Sequence, residues 1–420
     1  MQKQSQTGLL TIDIGSTVVK VAQVSASGKT EWQEFRDRDY DRAIVDQVRE
    51  LLSEFRDEEA ANELFVCSSA NGGLRVGVVA LSTSYSGAIL RDQALLGGAN
   101  PMYVQPLEDP TPQPDYVDVL LVGGALEGTP STAMVELVEG FSPDRFNFGR
   151  LAFAGNGSLA EAFRRRYPGA IIIDNPMPDD LRAANDSVFV ALRDAYLDDL
   201  VYKEGINEVA SDLGAVVCPT PEVVSRGYYS ALTEGVIPDI TGASLLVDIG
   251  GATTDLHYSV EIVRDDSASR PAGGRSIARY VFTDLGVFAS SDSVTLQLRT
   301  NPRTFEFLAT IGVDDVAQTY RLLREGDYEL SPAELAHACL FLALDRFSAG
   351  SGPGLPAANL DRLDKLVLTG GAAQMIPTTH AAAIASLFTR NPFDERFAKI
   401  DSDYEIWIQG AQAHRKDQQR

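Results

Sequence analysis

Two short segments hold residues whose types and spacing suit phosphate chemistry. TIDIGSTVVK, from Thr11, and LVDIGGATTD, from Leu246, each set an aspartate at the end of an apolar, β-branched run. In both, that aspartate (Asp13, Asp248) is followed by Ile-Gly, small hydroxyl residues and a return to strand-like sequence. Gly15, Gly250 and Gly251 let the backbone approach a phosphate with no Cβ in the way. Exposed turn N–H groups and the hydroxyls of Ser16, Thr17, Thr253 and Thr254 can then surround the phosphate oxygens. Asp13 and Asp248 stand where Mg²⁺ and its waters would be held, an arrangement suited to a hard cation that keeps much of its hydration shell. Both are candidate catalytic and metal-orienting residues, and Asp248 is also a candidate for positioning an attacking water. Asp255 either assists metal or water or caps a turn. A third segment, LVLTGGAAQMIP, places Gly370 and Gly371 at a strand end, where a flat base or ribose could lie close to backbone. One Asp-Ile-Gly turn alone is better read as an ordinary turn. Two near-copies followed by a third glycine pair favour a nucleotide cleft built by duplication of one domain.

The elements that must position these residues follow from periodicity. GLLTIDIGSTVVKVAQVS and SLLVDIGGATTDLHYSVEI each read as strand, tight turn, strand. Residues 41–60 have helical spacing, with Ile44, Val48, Leu51, Leu52 and Phe55 on one face. From about 63 to 175, short apolar runs alternate with helix candidates, which implies parallel βαβ units, with EDPTPQP at 108–114 as a short linker. Helices are expected over 180–213 and 218–236, through much of the stretch up to about 349, and again at the end of the chain. The expected organisation is α/β. Residues 1–240 form a first lobe with an inserted α/β region at about 63–175, residues 241–394 form a second lobe, and residues 395–420 form a terminal helix returning to a hinge.

Composition excludes other classes. The formal net charge of −23 argues against nucleic acid or an anionic membrane surface as partner, since both need a basic footprint. It does not exclude a phosphate ligand held locally by turn amides and a cation. No run approaches the roughly 18 apolar residues of a membrane span. MQKQSQTGLL lacks the apolar stretch of a signal or transit peptide. Cys67, Cys218 and Cys339 are far apart in sequence, as reduced core thiols of a cytoplasmic protein would be. The four histidines are scattered, with no zinc spacing.

The two Asp-Ile-Gly hairpins and the later glycine pair, in this order, resemble the superfamily of actin, the heat-shock chaperone ATPases and the sugar kinases. That resemblance implies two duplicated actin-like ATPase lobes of ribonuclease H-like fold. It also implies a phosphate-one motif (Asp13 to Lys20), a phosphate-two motif (Asp248 to Asp255) and an adenosine motif (Thr369 to Ala373). Lys20 falls where such proteins place a phosphate-contacting lysine. Gly227 and Ala231, with Gly410, Ala411 and Ala413, suit the two helices that cross at the hinge in that superfamily.

A narrower likeness runs through CSSANGGLRVGVVAL (67–81), LLVGGALEG, LAFAGN, CPTPEVV, DIGGATTDLH and TDLG. These segments, spread over nearly the whole chain, resemble the MutL accessory protein of glutamate mutase. Membership would imply ATP and Mg²⁺ as ligands, adenosylcobalamin-dependent mutase subunits as partners, and an ATP-driven role in reactivating them. Whether ATP is hydrolysed or only bound stays open. The alternatives are a small-molecule kinase or an actin-like assembly protein of the same superfamily. Cys67 and Arg75 could meet a partner or simply end a buried strand. Cys67 is a poor candidate nucleophile because no histidine is near it in sequence. His257 reads as structural, and Asp284 either as a cleft carboxylate or, the better reading, as a helix N-terminal residue.

Overall fold

A computed structural model describes residues 8–15, 18–25, 27–39, 41–55, 63–68, 74–96, 99–177, 187–192, 195, 216–263, 277–351 and 355–418. Ser16, Thr17, the Asn71–Gly73 part of the 67–81 segment and most of the helix expected over 180–213 lie outside the described residues.

The first sheet contains β1 (Leu9–Ile14), β2 (Val18–Val24), β3 (Thr30–Asp37), β4 (Glu63–Ser68) and β10 (Val216–Pro219), in the order β10-β4-β1-β2-β3. β1, β2 and β3 form an antiparallel meander, while β4 lies parallel to β1 and β10 parallel to β4. A second sheet repeats that plan with β11 (Ser244–Ile249), β12 (Thr254–Ser259), β13 (Ile277–Phe282), β14 (Lys365–Thr369) and β15 (Ala398–Ile400), in the order β13-β12-β11-β14-β15. Again the first three are antiparallel and the last two add in parallel. Identical order and polarity in two separate sheets is the duplication expected of an actin-like, two-lobed α/β fold.

The chain between β4 and β10 forms a third sheet of five parallel strands: β5 (Leu74–Ala80), β6 (Ala99–Pro106), β7 (Gln113–Gly124), β8 (Phe146–Gly155) and β9 (Ile171–Ile173), in the order β6-β5-β7-β8-β9. Near-continuous burial along β5 and the second half of β7 is what a parallel sheet covered on both faces requires. Three details differ from the sequence reading. β15, within the 395–420 segment expected to be a terminal helix, completes the second sheet, so that the helix starts at Glu405. ELFVCS, grouped there with the insert, is β4 and pairs with β1, so the inserted sheet begins at Leu74. The EDPTPQP stretch joins β6 to β7 within one sheet; its proline and acidic residues make a turn, not a link between domains.

Two helices exchange lobes. Helix Thr220–Glu234 leaves the first sheet with Pro in its first turn and stops at Gly235 in the left-handed conformation. Its Val224, Tyr228 and Ala231 pack with Leu246, Ile277 and Val367 of the second sheet. The terminal helix Glu405–Gln418 leaves the second sheet, and its Trp407, Ile408 and Ala411 pack with Leu9, Phe65, Cys67 and Cys218 of the first. The helices cross where both carry glycine. A Cβ on Gly227 would lie 1.8 Å from the Ile406 carbonyl oxygen, and one on Gly410 would lie 1.9 Å from that of Val223. Among the described residues no helix is long and apolar enough to cross a membrane.

Candidate functional site

The two hairpins are built alike to the level of single hydrogen bonds. Gly15 N–H donates to the Val18 carbonyl at 2.9 Å, and Gly250 N–H donates to that of Thr253 at 2.9 Å. Asp13 faces Lys20 across β1–β2, and Asp248 faces Asp255 across β11–β12. The duplication therefore puts a lysine in one copy where the other has an aspartate, and this exchange sets the electrostatics of the site.

In the first hairpin the buried Asp13 carboxylate accepts from Lys20 Nζ at 2.6 Å, from Thr220 Oγ1 at 2.5 Å and from Cys67 Sγ at 3.4 Å. Burial works against the Lys20 charge. The Asp13 and Asp248 carboxylates, with Tyr404, outweigh it and hold the ammonium well above the ordinary lysine range. Lys20 Nζ also sits 4.7 Å from the centre of the Tyr404 ring, a cation–π contact with the start of the terminal helix.

In the second hairpin the half-buried Asp248 has no such cation to itself. Burial, followed by the nearby Asp255 charge, pushes its carboxyl up to about 7; Lys20 opposes this and Asp13 adds to it. Lys20 and Asp13 of the first lobe thus act on Asp248 of the second, which puts the two hairpins on one cleft. Asp255 is paired with the buried Arg279 of β13, whose Nε and Nη2 both donate to Asp255 Oδ1, and its Oδ2 accepts from Thr253 Oγ1 at 3.3 Å. The Thr254 hydroxyl donates to the Leu285 carbonyl beneath the hairpin, while the Gly251 carbonyl accepts from Phe288 N–H at 2.8 Å.

The third glycine element closes onto the same place. Gly370 follows β14 with φ +91°, and a Cβ there would lie 2.3 Å from Asp248 Oδ1 and 2.5 Å from the Ile249 carbonyl oxygen. Gly371 next to it begins the turn into the short 3₁₀ helix Ala372–Met375. Gly370→Ala combines strained backbone with a clash against a carboxylate. It is expected to lower stability by about 1–3 kcal/mol, read as a lower midpoint in thermal unfolding, while Gly371→Ala costs much less.

Sequence reasoning missed several contributors. Thr220 and Cys67 come to Asp13 from the helix after β10 and from β4, and neither stands near Asp13 in sequence. Asp401, just after β15, accepts from the Thr369 hydroxyl at 2.9 Å and from the Glu405 N–H at 2.8 Å. Burial pushes its carboxyl up to about 6. It ties the strand before Gly370 to the first turn of the terminal helix. A lone aspartate followed three residues later by tyrosine carries no motif; only the equivalence of β15 with β10 could have drawn attention to it.

Other expectations resolve into structure. Trp407 Nε1 donates to Cys67 Sγ at 3.1 Å, and burial raises that thiol well above its usual range, so it is no nucleophile. Arg75 holds Asp118 through its backbone N–H, Nε and Nη2, joining β5 to β7. His257 meets Ser225 Oγ at 2.8 Å, and burial, then Arg279, keep it neutral. Asp284 is not a helix cap: Arg346 Nη1 donates to both its oxygens and Gln297 to one.

Two lobes of one topology, joined by exchanged glycine-crossed helices and presenting paired aspartate hairpins to a common cleft, define the chain as a member of the two-lobed actin-like class. The profile of the MutL protein family matches residues 9–417, and the chain belongs to that family. It is 23% identical over 278 residues to Protein MutL of Clostridium tetanomorphum, an alignment covering 62% of this chain and 59% of that protein. The chain thus spans about three-fifths of the length of the curated relative it matches. Among solved structures it is similar to the activator of the 2-hydroxyisocaproyl-CoA dehydratase from Clostridium difficile with bound ADPNP. That match has 9% identity and a TM-score of 0.38, over 99% of this chain and 98% of that one. It is also similar to a ROK family glucokinase from Streptomyces griseus in complex with glucose and AMPPNP, at 9% identity and a TM-score of 0.37, over 97% and 99%.

Proposed function

We propose that this chain is an ATP-binding accessory protein whose nucleotide-dependent lobe movement acts on an adenosylcobalamin-dependent mutase of the glutamate mutase type. The observation that carries the nucleotide part is the convergence of Asp13 and Lys20 from one lobe with Asp248 from the other. The partner part rests on membership of the MutL family and its likeness to the accessory protein of glutamate mutase.

The donor set fits a hydrated divalent cation bound through phosphate. Asp13 and Asp248 come from opposite lobes, and among the described residues no cluster of three or more His, Cys, Asp or Glu forms an all-protein metal cage. Mg²⁺ held there would supply positive charge to offset that of the phosphates. Asp13 and Asp248 would hold its waters, Lys20 would face the phosphates, and the Gly15, Gly250 and Gly251 backbones would let them approach. Gly370 and Gly371 would border the base or ribose. Asp248 would orient a water beside the phosphates, and a cation beside it would favour its ionised form. A ligand that contacts both lobes favours the closed arrangement by its differential affinity for the two states, and the exchanged helices carry that movement.

The test has two arms. Calorimetry with Mg²⁺·ATP is expected to give saturable binding that is lost in Asp248→Ala; no binding in the native protein would sink the proposal. Added with ATP and Mg²⁺ to inactivated glutamate mutase, the protein is expected to restore turnover, and Asp248→Ala is not. ATP turnover without an added small-molecule acceptor would count against a kinase.

A further inference from the structure

Besides the exchanged helices, the inserted α/β region makes its own contact with the second lobe, through helix Ser86–Leu96. Leu95 of that helix is buried in the second lobe's main core, together with Tyr280 and Phe282 of β13. Arg279, also on β13 and 6% exposed, ties the contact together. Its Nη1 donates to the Leu95 carbonyl, an acceptor left without an intrahelical partner near the helix C-terminus. Its Nε and Nη2 donate to Asp255. One buried guanidinium thus holds, at once, the end of the insert's helix and a carboxylate of the phosphate-two hairpin. Asp255 is in turn the cross-strand partner of Asp248.

We propose that Arg279 is a positioning residue that couples the phosphate-two hairpin to the docking of the inserted region, so that loading the cleft with Mg²⁺·nucleotide loosens helix Ser86–Leu96 from the second lobe. The proposal rests on the nucleotide-binding reading given above. The physical reason is charge balance. The Asp255 carboxylate neutralises Arg279, and the pair is buried. A cation brought to the neighbouring Asp248 gives Asp255 a second positive partner. On the reading above that cation stands between Asp248 and the phosphates and is the ligand charge nearest the pair. It therefore competes with Arg279 for the Asp255 carboxylate and repels the guanidinium, which makes the buried positive charge less favourable. The guanidinium relieves this by moving towards water, which takes its Nη1 from the Leu95 carbonyl. Helix Ser86–Leu96 then keeps its contacts within the insert, such as those of Gln93, whose Oε1 accepts from Val188 and Phe189 N–H. It loses the polar anchor on the second lobe. The coupling lets the state of the cleft reach the inserted region without any contact between that region and the nucleotide.

Hydrogen exchange of the full chain, read by mass spectrometry with and without saturating Mg²⁺·ATP, tests this directly. Amides of residues 86–96 are expected to exchange about tenfold faster with nucleotide bound. In Arg279→Gln and in Asp255→Asn they are expected to be fast already and to change no further with nucleotide. Unchanged or slower exchange in the native protein, under conditions where calorimetry shows ATP bound, overturns the coupling and leaves the nucleotide reading standing. If calorimetry shows no binding, both fail. Because the native protein alone gives the decisive comparison, a variant that folds poorly does not blunt the test.

Discussion

Gly227→Ala and Gly410→Ala are each expected to destabilise the protein by more than an ordinary surface change, about 2–3 kcal/mol or above. The new methyl groups would have to stand 1.8 Å and 1.9 Å from carbonyl oxygens of the facing helix. Neither contact can be relieved by turning a side chain, because backbone meets backbone, so the helices must separate along their whole crossing. Separation would also disturb Trp407 and Tyr228, which seat each helix on the opposite lobe and are almost fully buried. The two glycines touch the same crossing, and a Cβ on Gly227 would already meet Gly410 N at 2.8 Å. Once one substitution has forced the helices apart, the second costs less, so the double variant is expected to fall short of the sum of the singles. Thermal unfolding of the three variants checks this; midpoints within about a degree of the native protein would show that the crossing is not a close one. The same variants are expected to weaken any ligand that must contact both lobes, since the crossing fixes how the lobes sit against each other.

The second large effect concerns Asp248 and is offset by ligand. Its carboxyl ionises near 7 in the folded protein against 3.8 as its ordinary value. Between those values the folded state keeps a proton that the unfolded state has lost. The stability contributed by this group is therefore present in full below about pH 4, falls as pH rises, and is gone above about pH 7. At ~1.4 kcal/mol for each tenfold change in the acid dissociation constant, the rise from 3.8 to about 7 makes the ionised carboxylate cost at most about 4 kcal/mol, and less to the extent that water reaches it. Asp248→Asn removes that cost. The variant is expected to unfold at a higher temperature than the native protein at about pH 8, with the gap narrowing as pH falls towards about 4. In Mg²⁺·ATP the gap narrows: ligand at about a hundredfold over its dissociation constant adds about 2.7 kcal/mol to the native protein, and at about a thousandfold about 4.1 kcal/mol, with nothing added to a variant that does not bind. A gap that stayed the same at every pH would mean Asp248 carries no such strain. A carboxylate held at a stability cost that an arriving cation would relieve is what the proposed ligand site requires.

These effects bear on how far the chain was readable before its fold was known. Both hairpins, both glycine pairs and the two hinge helices were legible, because each is written in local chemistry. Asp13 and Asp248 end β-branched runs, glycine follows at each tight turn, and small residues recur on one helical face. The inserted βαβ pattern was equally visible as alternation. Its edge was not, because ELFVCS has the same apolar character whether it pairs with β1 or with β5, and only pairing decides. Arg75 and Asp284 could not be assigned from sequence for a related reason. A charged residue beside a motif has the same appearance whether it awaits a ligand or already holds Asp118 or Arg346.

The sequence by itself determined the duplication, the cleft-forming turns and the family, since all three depend on residue types at short spacing. The tertiary structure alone decided how the charges in the cleft are balanced. Lys20 and Asp255 occupy the same place in the two copies, yet one neutralises its aspartate and the other opposes it. Thr220, Arg279 and Asp401 reach the site only because distant strands are brought side by side. Coulomb energy depends on separation in space and on burial. A chain read residue by residue contains the charges but neither of the quantities that set their effect.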